Sequence, residues 1–105
     1  MELRELCFHL KNRRRMYLLD DRYSTVVAFL EGFNAALDGE PLSGFQEWAS
    51  HRILGSSCPV HWSYIVASER VSGILDGKIG IDQIPADVEI LLIDDLAGLI
   101  EAFLG

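Results

Sequence analysis

The chain has 105 residues, of which 50% are hydrophobic and 24% are charged. This length and composition are typical of one globular domain and exclude a long disordered chain. No apolar run reaches the ~18 residues of a membrane span, and the N-terminus lacks the charged and apolar regions of a signal peptide. Two cysteines are too few for a disulfide framework. We therefore expect a single cytoplasmic domain that covers residues 1–105.

The net charge of −7 is unevenly distributed along the chain. Residues 1–22 carry six basic and four acidic side chains, whereas residues 23–105 carry three basic and twelve acidic ones. The acidic body repels nucleic acid at long range, and the three-arginine run at residues 13–15 is soon followed by two aspartates. We therefore expect no nucleic-acid or membrane partner. The negative charge favours a basic protein partner, and it also serves solubility on its own.

Apolar residues recur at helical spacing in the first segment, which predicts a helix from Glu2 to about Arg13. A connector follows this helix. We expect its side chains Met16, Tyr17 and Leu18 to pack into the core.

A second helix is predicted after the connector, with Ser24 or Asp21 as its N-terminal cap. It ends at residues 38–41, which read Asp-Gly-Glu-Pro and are typical of a helix stop. Its broad apolar face consists of Val26, Phe29, Leu30, Phe33, Ala36 and Leu37.

The middle of the chain predicts two further helices. The third begins at Ser43, because Ser43 and Gln46 have the spacing of a capping box. The fourth begins at Pro59, which suits a first helical position, and extends to about Leu75. Residues 78–84 are expected to form a short turn that is packed by its isoleucines.

The last helix is predicted from Pro85 onward. Residues 88–93 are also compatible with a short β segment by composition. Together the segments predict an all-α fold, a compact bundle of about five helices joined by short loops. The apolar stripe of the last helix consists of Val88, Leu92, Leu96, Leu99 and Phe103.

Cys58 and His61 are the pair of residues that most resembles a chemical site. Their spacing is that of half a zinc site, but zinc takes four ligands and a second pair is missing. A cysteine near a helix start, with a histidine close by, also suits a nucleophile and its base, but no orienting group accompanies them. We therefore predict no catalytic residue, no metal site and no cofactor, and we expect that the protein is not an enzyme.

An acidic stripe on the last helix is the leading candidate for a binding face, although such a stripe is also typical of a solvated helix surface. At ~100° per residue, Asp87, Asp94 and Glu101 lie within about 40° of one another. With a neighbouring aspartate and two second-choice acids of the second helix, the predicted partner-binding residues are Asp87, Asp94, Asp95, Glu101, Glu31 and Asp38.

Three runs of the chain resemble small uncharacterised bacterial proteins. They lie at residues 13–18, 27–33 and 45–48. In the bacterial proteins these runs read Arg-Arg-Pro-Met-Tyr-Leu, Phe-X-X-Gly-Tyr and Phe-X-X-Trp. Arg15 stands in place of the usual proline, and Phe33 in place of a common tyrosine.

The resemblance covers about residues 3–66 and carries over no catalytic residue. Some of these small acidic proteins resemble immunity proteins of polymorphic toxin systems, which implies inhibition by binding. The leading hypothesis is therefore an immunity protein that binds and occludes a basic toxin domain. The alternative is a small regulatory or assembly module without catalytic activity, which forms a homodimer through an exposed apolar helix face.

Overall fold

The computed structural model describes residues 1–105 and consists of α-helices and turns, without a strand. This confirms the predicted all-α bundle. No helix combines the length and the apolar character that crossing a membrane requires. Two short 3₁₀ turns, Arg14–Met16 and Ile81–Gln83, lie between the helices. The five helices are α1 (Leu3–Asn12), α2 (Tyr23–Ala36), α3 (Phe45–Leu54), α4 (Trp62–Ala67) and α5 (Ala86–Leu104).

Helix α5 is the longest helix, and it contacts all four of the others, most extensively α1. Residues 88–93 lie within it, so the possible β segment is wrong. Leu92 and Ile93 are fully buried and continue the helical spacing of the apolar residues that follow them. The buried face of α5 consists of Glu89, Leu92, Ile93, Leu96, Ala97 and Ile100.

The one charged residue on that buried face, Glu89, caps the start of α2. Its Oε2 atom accepts the backbone N–H of Tyr23 at 2.7 Å, and only 5% of the residue is exposed. The first N–H groups of a helix have no acceptor within the helix, and their positive end favours a carboxylate. The predicted caps Ser24 and Asp21 are wrong, because the N-cap residue is Arg22, and the neighbouring side chain that bonds to it is Asp20, whose Oδ1 atom accepts the Arg22 N–H at 3.0 Å.

The connector between α1 and α2 buries one of the three residues that were expected to pack inward. Leu18 is buried, whereas Met16 is 68% exposed and Tyr17 is 39% exposed. The tight 3₁₀ turn that precedes Leu18 points consecutive side chains in different directions, so one of them reaches the core. The prediction was therefore right for Leu18 and wrong for Met16 and Tyr17.

Two arginines of the connector share one carboxylate, that of Asp21. Arg14 Nε lies 2.8 Å from Asp21 Oδ1, and Arg15 Nη2 lies 2.9 Å from Asp21 Oδ2. Arg15 also donates to the carbonyl of Leu19 at 3.0 Å. The hydrogen bonds from Arg15 and Arg14 lower the pKa of Asp21 to about 2. This arginine clamp ties both ends of the connector together.

Helix α3 begins two residues later than predicted, and the predicted capping box is wrong. Gly44 precedes the helix with a left-handed φ of 85°, which favours glycine. Gln46 does not fold back toward Ser43. Its Nε2 atom instead donates to the carbonyls of Val60 at 2.7 Å and Cys58 at 3.2 Å, so it holds the loop that follows α3.

Helix α4 is much shorter than the predicted span from Pro59 to about Leu75. It begins after His61, whose Nδ1 atom accepts the backbone N–H of Ser63 at 3.1 Å. After residue 67 the chain continues in turns, in which Gly73 has a left-handed φ of 90° that interrupts a helix. These turns still bury Val71 and Ile74, as a continued helix would have done.

The segment that precedes α5 forms the predicted turn packed by isoleucines. Ile84 is buried, and Ile79 and Ile81 pack half-buried against the core. The carbonyl of Asp82 accepts a hydrogen bond from Arg22 at 3.3 Å. This turn therefore also contacts the start of α2.

Replacing Glu89 by alanine removes the acceptor of the buried Tyr23 N–H. We expect Glu89→Ala to lower the free energy of unfolding by about 1–3 kcal/mol, the usual cost of leaving a buried donor unsatisfied. Urea denaturation followed by circular dichroism measures the loss. Asp87→Ala, an exposed change in the same turn of α5, is the control and should cost well under ~1 kcal/mol. Equal losses in both variants would show that Glu89 does not act as a cap.

Asp21→Asn tests the arginine clamp through its pH dependence. The pKa of Asp21 falls from 3.8 to about 2 on folding. The ionised carboxylate therefore stabilises the fold above its unfolded pKa, and this contribution is lost as the pH falls through the folded pKa. We expect Asp21→Asn to be less stable than wild type at pH 7, with a difference that shrinks between about pH 4 and pH 2.

Unfolding by urea at pH 7, 4 and 2 measures this difference. The control is Asp38→Asn, because Asp38 is exposed and has no arginine within ion-pair distance. A stability difference for Asp21→Asn that stays constant across these pH values would contradict the clamp.

Candidate protein-binding face

The outer side of α5 carries two exposed carboxylates that form no ion pair, those of Asp87 and Asp94. At ~100° per residue, Ile90 and Leu91 fall on the same side of the helix. These two side chains are 42% and 46% exposed. We call these four residues the outer stripe of α5. It has aliphatic side chains at its centre and acids one turn away on either side.

The other two acids predicted for this face, Asp95 and Glu101, form ion pairs within the chain. Asp95 binds the guanidinium of Arg70 through both carboxylate oxygens, with Arg70 Nη2 at 3.2 Å from Oδ1. Glu101 Oε1 lies 2.6 Å from Lys11 Nζ. These hydrogen bonds raise the pKa values of Arg70 and Lys11. The two acids tie α5 to the turn after α4 and to α1.

The second-choice acids Glu31 and Asp38 do not join the outer stripe. Glu31 Oε1 accepts the indole N–H of Trp62 at 2.9 Å and lies 3.5 Å from His61 Nε2. Asp38 follows the end of α2, is exposed, and has a left-handed φ of 60°. The structure therefore places these two acids on other surfaces.

Gly98 continues the outer stripe one turn beyond Asp94 and is exposed. A glycine inside a helix costs up to ~1 kcal/mol relative to alanine. No atom of the chain lies within 4 Å of the position that a Cβ atom would take at Gly98, so packing within the chain does not require glycine there. An open groove of about 570 Å³ borders it and is lined by Arg52, Glu69, Arg70, Asp94, Asp95, Gly98, Leu99 and Ala102.

Ile90 and Leu91 were missed in the sequence because only the acids of this helix were considered for binding. The signal was available, since these residues fall outside the predicted apolar stripe and flank the arc of Asp87 and Asp94 on either side. Apolar residues that a helical stripe does not include are the ones that a partner can cover.

Cys58 and His61 have separate roles in the structure. The imidazole of His61 has its Nδ1 atom 2.7 Å from Ser63 Oγ and its Nε2 atom toward Glu31. The carbonyl of Cys58 accepts a hydrogen bond from Gln46. No group of three or more His, Cys, Asp or Glu side chains is placed to share a metal ion.

Comparison of the chain with family models, curated proteins and solved structures found no match. The resemblance to small bacterial proteins stays a prediction from its three sequence runs. Only the contacts, exposure and charges of the outer stripe therefore support it as a binding face.

The two cysteines provide a chemical test of the packing around α1 and the α3–α4 loop. Cys7 is fully buried, and burial raises the pKa of its thiol to about 12, whereas Cys58 is half-buried. A thiol reacts as its thiolate, so Cys7 should be inert in the folded protein near pH 8. We expect a chromogenic disulfide reagent to label one thiol in the native chain and two in denaturant. Rapid labelling of both thiols under native conditions would contradict this packing.

Proposed function

We propose that this protein is an immunity protein, which binds a bacterial toxin domain through the outer stripe of α5 and occludes a basic cleft in it. The class of partner follows from the acidic net charge and from the resemblance of three sequence runs to small immunity-like proteins. The place of binding follows from the exposed residues of α5.

One observation carries the proposal: the outer stripe has the chemical arrangement of a binding surface. Interfaces have an apolar centre with a polar rim, and a few central side chains supply most of the affinity. Ile90 and Leu91 supply such a centre, and Asp87 and Asp94 supply a rim of acids that form no ion pair within the chain. The exposed Gly98 allows the backbone of a partner to approach closely.

The charges of the stripe favour a basic partner over a second copy of the chain. In an antiparallel pairing of two α5 helices about their Ile90–Leu91 centres, Asp87 of one copy faces Asp94 of the other. Like charges placed opposite each other are unfavourable, whereas a basic cleft is attracted by the same acids. The alternative of a homodimeric module therefore has to use another surface.

The proposed mechanism is occlusion, and it requires no catalytic group. The net charge of −7 and the acids of the stripe attract a basic cleft and raise the rate of encounter. The aliphatic centre then excludes water from the contact and slows dissociation. A bound inhibitor of this kind blocks access of substrate to the cleft.

The first experiment identifies the partner and then measures its kinetics. Tagged protein is recovered from its host at low and high salt, and the bound proteins are identified by mass spectrometry. We expect one stoichiometric basic partner that is lost at high salt. Recovery of the bait alone, or of nucleic acid with it, would contradict the proposal.

Variants of the stripe then test the binding face with the purified partner. We expect Asp87→Asn combined with Asp94→Asn to slow association several-fold and to flatten its salt dependence. Leu91→Ala should raise the dissociation constant about tenfold, as loss of a central contact worth ~1.4 kcal/mol would. Surface plasmon resonance at several salt concentrations measures both effects.

The matched control is Asp38→Asn combined with Asp82→Asn, which removes the same charge from exposed positions outside the stripe. These changes leave the carboxylates of α5 in place. If the control slows association as much as the stripe variant does, net charge alone explains the effect and α5 is not the binding face.

A further inference from the structure

The connector presents the most exposed large apolar side chains of the molecule. Leu19 is 95% exposed and Met16 is 68% exposed. The clamp on Asp21 and the bond from Arg15 to the carbonyl of Leu19 hold this segment in place. We call Met16 and Leu19, with the exposed arginines beside them, the knob.

A segment whose backbone is held by hydrogen bonds loses less conformational entropy on binding than a free loop, so an apolar tip on it suits insertion into a recess. The free charge beside the tip is positive, because Arg13 is exposed without an ion-pair partner, whereas the charge of Arg15 is paired with that of Asp21. The knob therefore fits an apolar recess whose rim is acidic.

The same chain contains such a recess. It has a volume of about 500 Å³ and lies between the start of α1 and the ends of α2 and α5. Its charged lining residues are Glu2, Glu40 and Arg4. The two glutamates are exposed and form no ion pair, whereas Arg4 donates to the carbonyl of Gly105 at 2.8 Å. We call this recess the socket, and its apolar lining consists of Met1, Leu3, Phe33, Leu37, Pro41 and Leu104.

The knob of one molecule cannot reach the socket of the same molecule. The knob follows the C-terminal end of α1, and the socket includes the residues at its N-terminal end. A ten-residue helix separates its ends by about 15 Å. The two surfaces can therefore meet only between two copies of the chain.

We propose that copies of this protein associate head to tail, with the knob of one copy inserted in the socket of the next. Leu19 and Met16 cover the apolar lining, and the unpaired Arg13 beside them faces Glu2 and Glu40. Such a contact joins two different surfaces, so it leaves a free knob and a free socket at the ends and allows longer chains. It uses neither Ile90 nor Leu91, so it goes beyond the proposed function and does not depend on it.

The net charge of −7 opposes the approach of two copies at low salt. At 0.15 M salt the screening length is about 8 Å, so the repulsion between whole molecules is weakened while contacts at the interface persist. We therefore expect self-association to strengthen when salt rises from about 0.01 M to 0.15 M.

Light scattering coupled to size exclusion, over a range of protein concentrations, tests this contact. We expect the mass of wild type to rise with concentration beyond that of a dimer. Leu19→Asp removes the knob and Leu37→Asp removes the socket, and each alone should raise the dissociation constant at least tenfold. Mixing the two variants leaves one intact knob and one intact socket, so the mixture should form a one-to-one pair and stop there.

Leu75→Asp is the matched control, because Leu75 is 39% exposed, close to the 46% of Leu37, and lies outside the knob, the socket and the outer stripe. This variant should self-associate as wild type does. Circular dichroism checks that each variant is folded. If an aspartate variant does not fold, the serine variant at the same position, Leu19→Ser or Leu37→Ser, replaces it. A wild type that stays monomeric up to about 1 mM, or variants that associate normally, would overturn the proposal. So would a mixture that fails to pair, since it would indicate a contact between like surfaces. None of these results bears on binding through α5.

Discussion

The fold depends on the burial of one side of α5 against the other four helices. Leu92, Leu96 and Ile100 follow one another at helical spacing along this side and are fully buried. Among them the carboxylate of Glu89 accepts a backbone N–H of α2 and lies 3.9 Å from Arg22 Nε. The apolar contacts place the helices around α5, and the carboxylate fixes where α2 begins. A helix that organises its neighbours in this way is a rigid support for whatever its other side presents.

The two sides of α5 have different chemistry. Ion pairs from Asp95 to Arg70 and from Glu101 to Lys11 hold the edges of the helix to neighbouring segments. Exposed ion pairs of this kind add little stability. Asp87 and Asp94 are the acids of this helix that remain without an ion-pair partner in the chain. The outer stripe combines these acids with two exposed aliphatic residues. This combination supports the proposal that a partner binds this side of the helix.

The sequence predicted the helices that have a long apolar stripe and failed where tertiary contacts decide. Helices α1 and α5 were predicted because their apolar spacing runs without interruption. The cap from Glu89 could not be predicted, because donor and acceptor are 66 residues apart. The end of α4 was missed because turns bury Val71 and Ile74 as well as a helix would. At the candidate site, the acids were found from spacing, but their ion pairs required the structure.

The central claim is that the outer stripe serves a partner and not the fold, and urea unfolding of two variants tests it most directly. Ile90→Ala combined with Leu91→Ala should cost no more than about 1 kcal/mol, because both side chains are nearly half exposed. Ile93→Ala, on the buried side of the same turn, should cost about 2–5 kcal/mol. If the double variant lost as much stability as Ile93→Ala, the stripe would be part of the core and the account would be wrong.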